Sequence, residues 1–178
     1  CVPDNSLLTA AMNSTNTTGK SANEANTSDK QAFLGSDMFN ITLKDVDAKL
    51  TAIFGGHLLT HRELLSNSMD PNQTSGGMTS WKGASNNWEW VDVKSMLMSE
   101  VEVYGSTVWS SSPYDTGMSN RQLPLFAVEP RFISQAREWY WLKDVASSAR
   151  FCGAAYNGDS ACSVASNVGY VRPRFLLG

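Results

Sequence analysis

His57 and His61 stand four residues apart in the run His-Leu-Leu-Thr-His. On a helix that spacing would put both imidazoles on one face, as zinc proteases require. The glutamate of such sites is missing, because Leu58 follows the first histidine and Thr60 precedes the second. Gly55-Gly56 also breaks any helix just upstream, so packed or capping histidines are expected and no metal is. Glu100 and Glu102 would share one face of a strand and could form an acid/base pair of the glycosidase kind. No second group of acids beside an aromatic sugar platform accompanies them, which favours a solvated strand face. Arg172 and Arg174 could hold an anion, but anchoring of loops is the expected use. No catalytic residue, metal or cofactor is expected.

The aromatic residues suit recognition better than catalysis. Trp81, Trp88, Trp90 and Trp109 fall in or beside turn-rich runs, where indoles stack on sugars, anchor a protein partner or fill the core beneath long loops. Asn157-Gly158 marks a hairpin, and Tyr156, Asn157, Asp159, Ser160 and Ser163 surround its tip among small neighbours. With Trp109 and Tyr114 from the loop over 110–120, these residues form the candidate ligand surface.

Three cysteines cannot all pair within the chain. If Asn157 and Gly158 are the central residues of a type I′ turn, Cys152 lies opposite Ser163 and Cys162 opposite Gly153, on different faces. A longer loop would change that register. Unpaired thiols are the expectation.

The chain as a whole is long enough for one hydrophobic core, with 178 residues. Its net charge is −3, its pI is near 5.3 and 17% of its residues are charged, against roughly 25% in soluble domains. Nucleic acid is therefore a poor partner, for want of a concentrated basic face. No apolar run reaches the roughly 20 residues that span a bilayer, so no membrane insertion is expected. The chain opens on Cys1 rather than Met, which suggests a processed product or part of something longer.

Residues 1–35 read as a flexible or partner-bound arm, polar and without periodicity from Asn5 to Gln31. Sequons occur there at Asn13, Asn16 and Asn26, at a density that abundant Ser and Thr produce by chance. Order is expected from near Phe39. Leu43, Val46, Leu50, Ile53 and Phe54 give a helix an apolar stripe, with Thr42 and Asp45 as a capping signal and Gly55-Gly56 as its stop. A second helix should follow Thr60, with Glu63 reaching back to the cap. The run 69–87 reads as a loop pinned by indoles, 91–97 as a helical turn, and 98–109 as an alternating strand. Residues 123–130 suggest a buried strand, then a helical turn after Pro130. Strands should fill the last third. The result is one α+β domain over 36–178: two N-terminal helices, long loops and a small antiparallel sheet closed by the C-terminal strand.

Five separated blocks carry a resemblance: "LLTHRELL", "MSEVEVYGS", "LPLFAVEP", "YWLKDV" and "ASNVGYVRPRFLL". Together, over about residues 36 to 178, they resemble a domain of unknown function in Firmicute bacteriophage structural proteins and bacterial surface proteins. Its aromatic-Trp-Leu-basic strand is matched by Tyr140, Trp141, Leu142 and Lys143, and its Val-Arg-Pro ending by Val171, Arg172 and Pro173. That ending is also similar to C-type-lectin-like folds, including the formylglycine-generating-enzyme branch and retroelement-diversified phage proteins.

The resemblance implies a terminal strand that pairs back near the front of the domain, with Val171 and Phe175 inward and Pro173 where no ladder donor is needed. Trp141, Arg172 and Pro173 would anchor a hairpin that displays its residues outward. Calcium-mediated sugar binding is not implied, since Arg131 follows Glu129-Pro130. The implied role is a non-enzymatic domain on a virion surface, or on an extracellular bacterial surface, that holds a bacterial surface glycan or protein. The alternative is a decoration, fibre or capsid-associated piece whose partners are other virion subunits. A homo-oligomer fits either role.

Overall fold

The computed structural model describes residues 1–18, 31–69, 85–110, 122–147 and 149–178. It is a mixed α+β arrangement with one main helix and several sheets. That helix, α1 (Leu43–Phe54), buries Leu43, Val46 and Leu50, as the apolar stripe requires, while Ile53 is 72% exposed. Its start departs from expectation. Thr42 makes no capping hydrogen bond, because a π-helical turn, Met38–Thr42, runs straight into α1 and supplies its first turn. Its end follows from Gly55, whose φ of 56° lies where a side chain is strained.

Strand β1 (Leu8–Ala11) belongs to a five-stranded sheet with β6 (Tyr140–Ser147), β7 (Arg150–Ala154), β8 (Ser160–Val164) and β9 (Val168–Val171), in the order β1-β9-β6-β7-β8. The sheet is mixed rather than antiparallel, since β6 and β9 run parallel. Neighbouring residues of β6 and β7 face opposite ways and feed two cores. Trp141, Val145 and Phe151 join Met12, Phe33, Leu65, Met96 and Val171 on one side. Tyr140, Leu142, Cys152 and Ala154 join Met98, Val103 and Phe126 on the other.

The described part of the expected arm belongs to this body. Besides pairing β1 with β9, it buries Met12 and Phe33, and Ala10 accepts from the Trp141 indole N–H at 3.0 Å. Asn13 is fully buried, and its side-chain oxygen accepts from the Asp37 amide at 2.9 Å. Composition concealed this because a polar stretch becomes ordered when a sheet edge and buried partners take up its hydrogen bonds.

Other expectations are corrected. Residues after Thr60 form β3 (His61–Met69) rather than a second helix, paired with β4 (Ser85–Val93). Glu63, expected to cap, is instead drawn into a buried ion cluster. Trp88 and Trp90 lie on β4, not in a loop, and β5 (Ser95–Leu97) replaces the expected helical turn. The expected strand at Glu100 is a one-turn helix, α2 (Glu100–Tyr104). Ser99 Oγ accepts from the Glu102 amide at 3.1 Å, Glu102 Oε2 accepts from the Ser99 amide at 2.8 Å, and Gly105 closes the turn at φ 79°. Another short helix, α3 (Pro124–Val128), stands where a buried strand was expected, with proline in its first turn.

The terminal run crosses between sheets. After β9 the chain enters β10 (Pro173–Leu177), which lies between β2 (Leu58–Leu59) and β5. Arg172, 1% exposed, sits at the crossing. Its Nε donates to the Pro3 carbonyl at 2.9 Å and one terminal nitrogen to that of Phe132 at 2.8 Å, while its guanidinium lies 5.3 Å from the Tyr140 ring centroid. Val171 and Phe175 are buried, and Pro173 opens the new strand opposite Leu97.

Two residues on, Arg174 enters the ion cluster. It contacts Glu63 at 2.5 Å and Glu102 at 2.6 Å, and Lys143 lies 3.0 Å from Glu63. Burial alone would raise the Glu63 carboxyl, but the His61 hydrogen bond and the charges of Lys143 and Arg174 outweigh it and hold the group far below the ordinary carboxylate range. Lys143→Met should cost about 3–5 kcal/mol, because it leaves the buried carboxylates of Glu63 and Glu102 sharing the single charge of Arg174. The double variant Lys143→Met/Glu63→Gln should cost less than the single one, as chemical denaturation will measure.

Candidate functional site

The candidate surface grows out of the β7–β8 hairpin. Its loop holds three residues, Tyr156, Asn157 and Gly158, and not the two of a type I′ turn. The Ala155 amide donates to Asp159 O at 2.8 Å and the Gly158 amide to Ala155 O at 2.9 Å, with Gly158 at φ 94°. Asn157-Gly158 therefore marked the turn correctly but occupies its last two positions. The extra residue slips the register by one and sets Cys152 opposite Cys162, correcting the earlier pairing.

The tip is held from three sides. Asn157 Nδ2 donates to Asp159 Oδ2 at 2.6 Å, and Tyr104 OH donates to Asp159 O at 3.0 Å. A methyl group on Gly158 would lie 3.5 Å from Ser134, so the tip rests on the loop after the 3-10 turn Pro130–Ile133. Tyr156 is 67% exposed on this fixed support.

Beside it lies a groove of about 330 Å³, bounded by Trp139, Gly153, Ala155, Tyr156, Ala161, Cys162, Ser163 and Asn167. Trp139 lies against Gly169, where an added Cβ would fall 2.3 Å from the indole, and it meets Trp141 edge-on with centroids 4.8 Å apart. Glycine at 169 is thus a packing requirement of the indole. On the rim, Asn167 Nδ2 donates to Ser163 Oγ at 2.8 Å. Two other grooves are less suited to a ligand. In one, Lys94 and Asp47 already bond Thr51 and Ser95; the other, of about 570 Å³, is lined by Arg131, Phe132, Ser134, Gln135 and Arg137.

Tyr156 and Ser163 border the groove directly, and Asn157 and Asp159 stand next to it. Ser160 and Trp109 serve another centre: the Ser160 hydroxyl and the Trp109 amide both donate to Glu100, and Trp109 is half-buried. Tyr114 and Trp81 lie outside the described residues. Trp139, Gly153, Asn167 and Gly169 were missed. The signal for Trp139 was the Trp-Tyr-Trp triplet, which in a strand sends its two indoles to one face.

Glu100 fastens these loops. Fully buried, its carboxylate accepts from the amides of Val108, Trp109 and Ser110 at 3.1, 3.1 and 3.0 Å, and from the hydroxyls of Ser110 at 2.8 Å and Ser160 at 2.9 Å. Glu102 points instead at Arg174 and Lys143. The two glutamates thus lie on a helix with separate partners and do not converge as an acid/base pair. His57 Nδ1 pairs with Gly178 O at 2.8 Å while His61 faces Glu63, so the histidines do not converge either. Among the described residues no group of three or more His, Cys, Asp or Glu is placed to hold a metal ion, and no helix is long and apolar enough to cross a membrane.

No family model matches the chain, and neither the curated proteins nor the solved structures include a match to it.

Behind Glu100, Asp144 accepts from the Glu100 amide at 2.5 Å. Burial, reinforced by the Glu100 charge, raises the Asp144 carboxyl to about 7. A raised acid adds stability while it stays protonated, and that contribution is lost as pH climbs through its folded value. Between pH 5 and 8 the native chain should lose about 2–3 kcal/mol by this route. Asp144→Asn should flatten that slope, raising Tm at pH 8 more than at pH 5, as thermal melts across the range will record.

Proposed function

We propose that this chain is a non-enzymatic, C-type-lectin-like display domain of a phage virion that holds a bacterial surface glycan in the groove beside Trp139. The observation that carries the reading is the groove itself. A fixed indole bounds a floor of small residues, and Tyr156, Ser163 and Asn167 bring an aromatic ring and hydrogen-bonding groups to the rim. Such a floor leaves room for the apolar face of a pyranose, and the rim groups suit its hydroxyls. The resemblance to the Val-Arg-Pro module supports the virion setting. Where the lectin-like comparison implies a returning terminal strand, β9 pairs with β1 while the terminal β10 lies between β2 and β5.

A second reading, an assembly role among virion subunits, is favoured by Leu59, Leu176 and Leu177, which lie together where β2 meets β10 and are each about two-fifths exposed. Exposed leucines on adjacent strands are what a neighbouring subunit covers.

Retention of the fluorescently labelled chain on purified envelope polysaccharides of Firmicute cells tests the first reading. Tyr156→Ala should weaken retention about tenfold with Tm unchanged, since Tyr156 is exposed and its ring is worth roughly 1–2 kcal/mol to a ligand that stacks on it. Absence of retention on every polysaccharide, or equal retention by both proteins, overturns it. A stable oligomer in sedimentation that Leu59→Ser/Leu176→Ser dissociates supports the second.

A further inference from the structure

The hairpin register brings two thiols together. Ala155 and Asp159 form the hydrogen-bonded pair that closes the loop. Alternation along the ladder then makes Cys152–Cys162 a non-hydrogen-bonded pair, as Ala154–Ser160 is. In such pairs the Cα atoms approach to about 4.5 Å with both side chains on one face. That separation lies inside the roughly 4.4–6.8 Å that a disulfide spans. Both side chains here pack against the same core, under α2 and α3. Cys152 is fully buried and Cys162 half-buried, bordering the groove, while Cys1 is exposed elsewhere.

We propose that Cys152 and Cys162 are a cross-strand dithiol that closes to a disulfide when the folded chain meets a low-molecular-weight disulfide, stapling the hairpin that carries Tyr156. The reaction enters at Cys162, the less buried of the two thiols. Its thiolate attacks the small disulfide, forming a mixed disulfide and expelling one thiolate. Cys152 then gives up its proton and its Sγ attacks Cys162 Sγ, expelling the second thiolate. Two protein thiols are oxidised and one small disulfide is reduced to two thiols. Burial raises both thiols, most strongly Cys152, which the Glu100 carboxylate also disfavours as a thiolate. Closure is therefore slow near neutrality and faster in alkaline solution. The inference rests on hairpin register alone and stands apart from the ligand reading.

The full chain incubated with oxidised glutathione at pH 8, quenched by alkylation and cut before aspartate, tests it. Cleavage before Asp144 and Asp159 puts Cys152 on fragment 144–158 and Cys162 on fragment 159–178. The two fragments should be joined in the unreduced digest, with an intact mass two hydrogens lower and Cys1 still alkylated or carrying glutathione. In Cys152→Ala the glutathione adduct should persist on Cys162. The oxidised chain should melt about 5 °C higher than the reduced one. Two thiols still alkylatable after prolonged incubation, a persistent Cys162 adduct in the parent, or a link through Cys1 overturns the proposal.

Discussion

Two carboxylates and two cations are shut away together where β3, β6, α2 and β10 meet, and much of the remaining geometry follows from keeping them paired. Glu63, Lys143, Glu102 and Arg174 come from four segments spread over most of the chain. Each would be costly alone in that place, so the arrangement is all or nothing. Arg174 reaches its partners only if the terminal strand has left the five-stranded sheet. The crossing at Arg172 makes this possible, and Arg172 in turn needs carbonyls from Pro3 and from the turn beneath the hairpin tip. A charge cluster on one side of the domain is thereby coupled, through two arginines, to the support of the hairpin on the other.

Glu100 and Glu102 show how one helical turn divides this labour. On a strand they would face the same way; on α2 they are separated by about 200° and serve different masters. Glu102 closes the capping box and joins the ion cluster, whereas Glu100 collects amides and hydroxyls from the next loop and from β8. Burial and the neighbouring Glu100 charge raise the Asp144 carboxyl behind it. The loop after α2 and the hairpin are therefore tied to one oxygen pair and hold a fixed relation to each other.

How much of this was legible in the sequence varied with how local the signal was. The α1 stripe and its glycine stop could be read because three buried side chains on one face need no distant partner. The strands of the last third declared themselves by β-branched and aromatic residues around a turn. Thr60-x-x-Glu63 and Ser99-x-x-Glu102 carry the same capping pattern, yet only the second caps a helix. The difference is tertiary, since Lys143 and Arg174 claim the first glutamate. Alternation over residues 98–109 misled for the opposite reason. A five-residue helix is too short for a period of 3.6 to outweigh a chance period of two, and the local cap was the better guide. Of the site, the hairpin and Tyr156 were visible in advance. Trp139 was not, because its role depends on Gly169, thirty residues away, leaving space for the ring.

That dependence bears on what kind of surface the groove is. A loop that must order itself on binding loses affinity to entropy. Here the indole is fixed by a glycine below and a second indole beside it, and the tip is locked by its own Asn157–Asp159 contact and by Tyr104. At the rim the exposed Tyr156 side chain can change while the supports underneath remain, whereas Trp139, Gly153 and Gly169 tolerate little. Packed supports and solvent-facing side chains are thus different residues of the same groove.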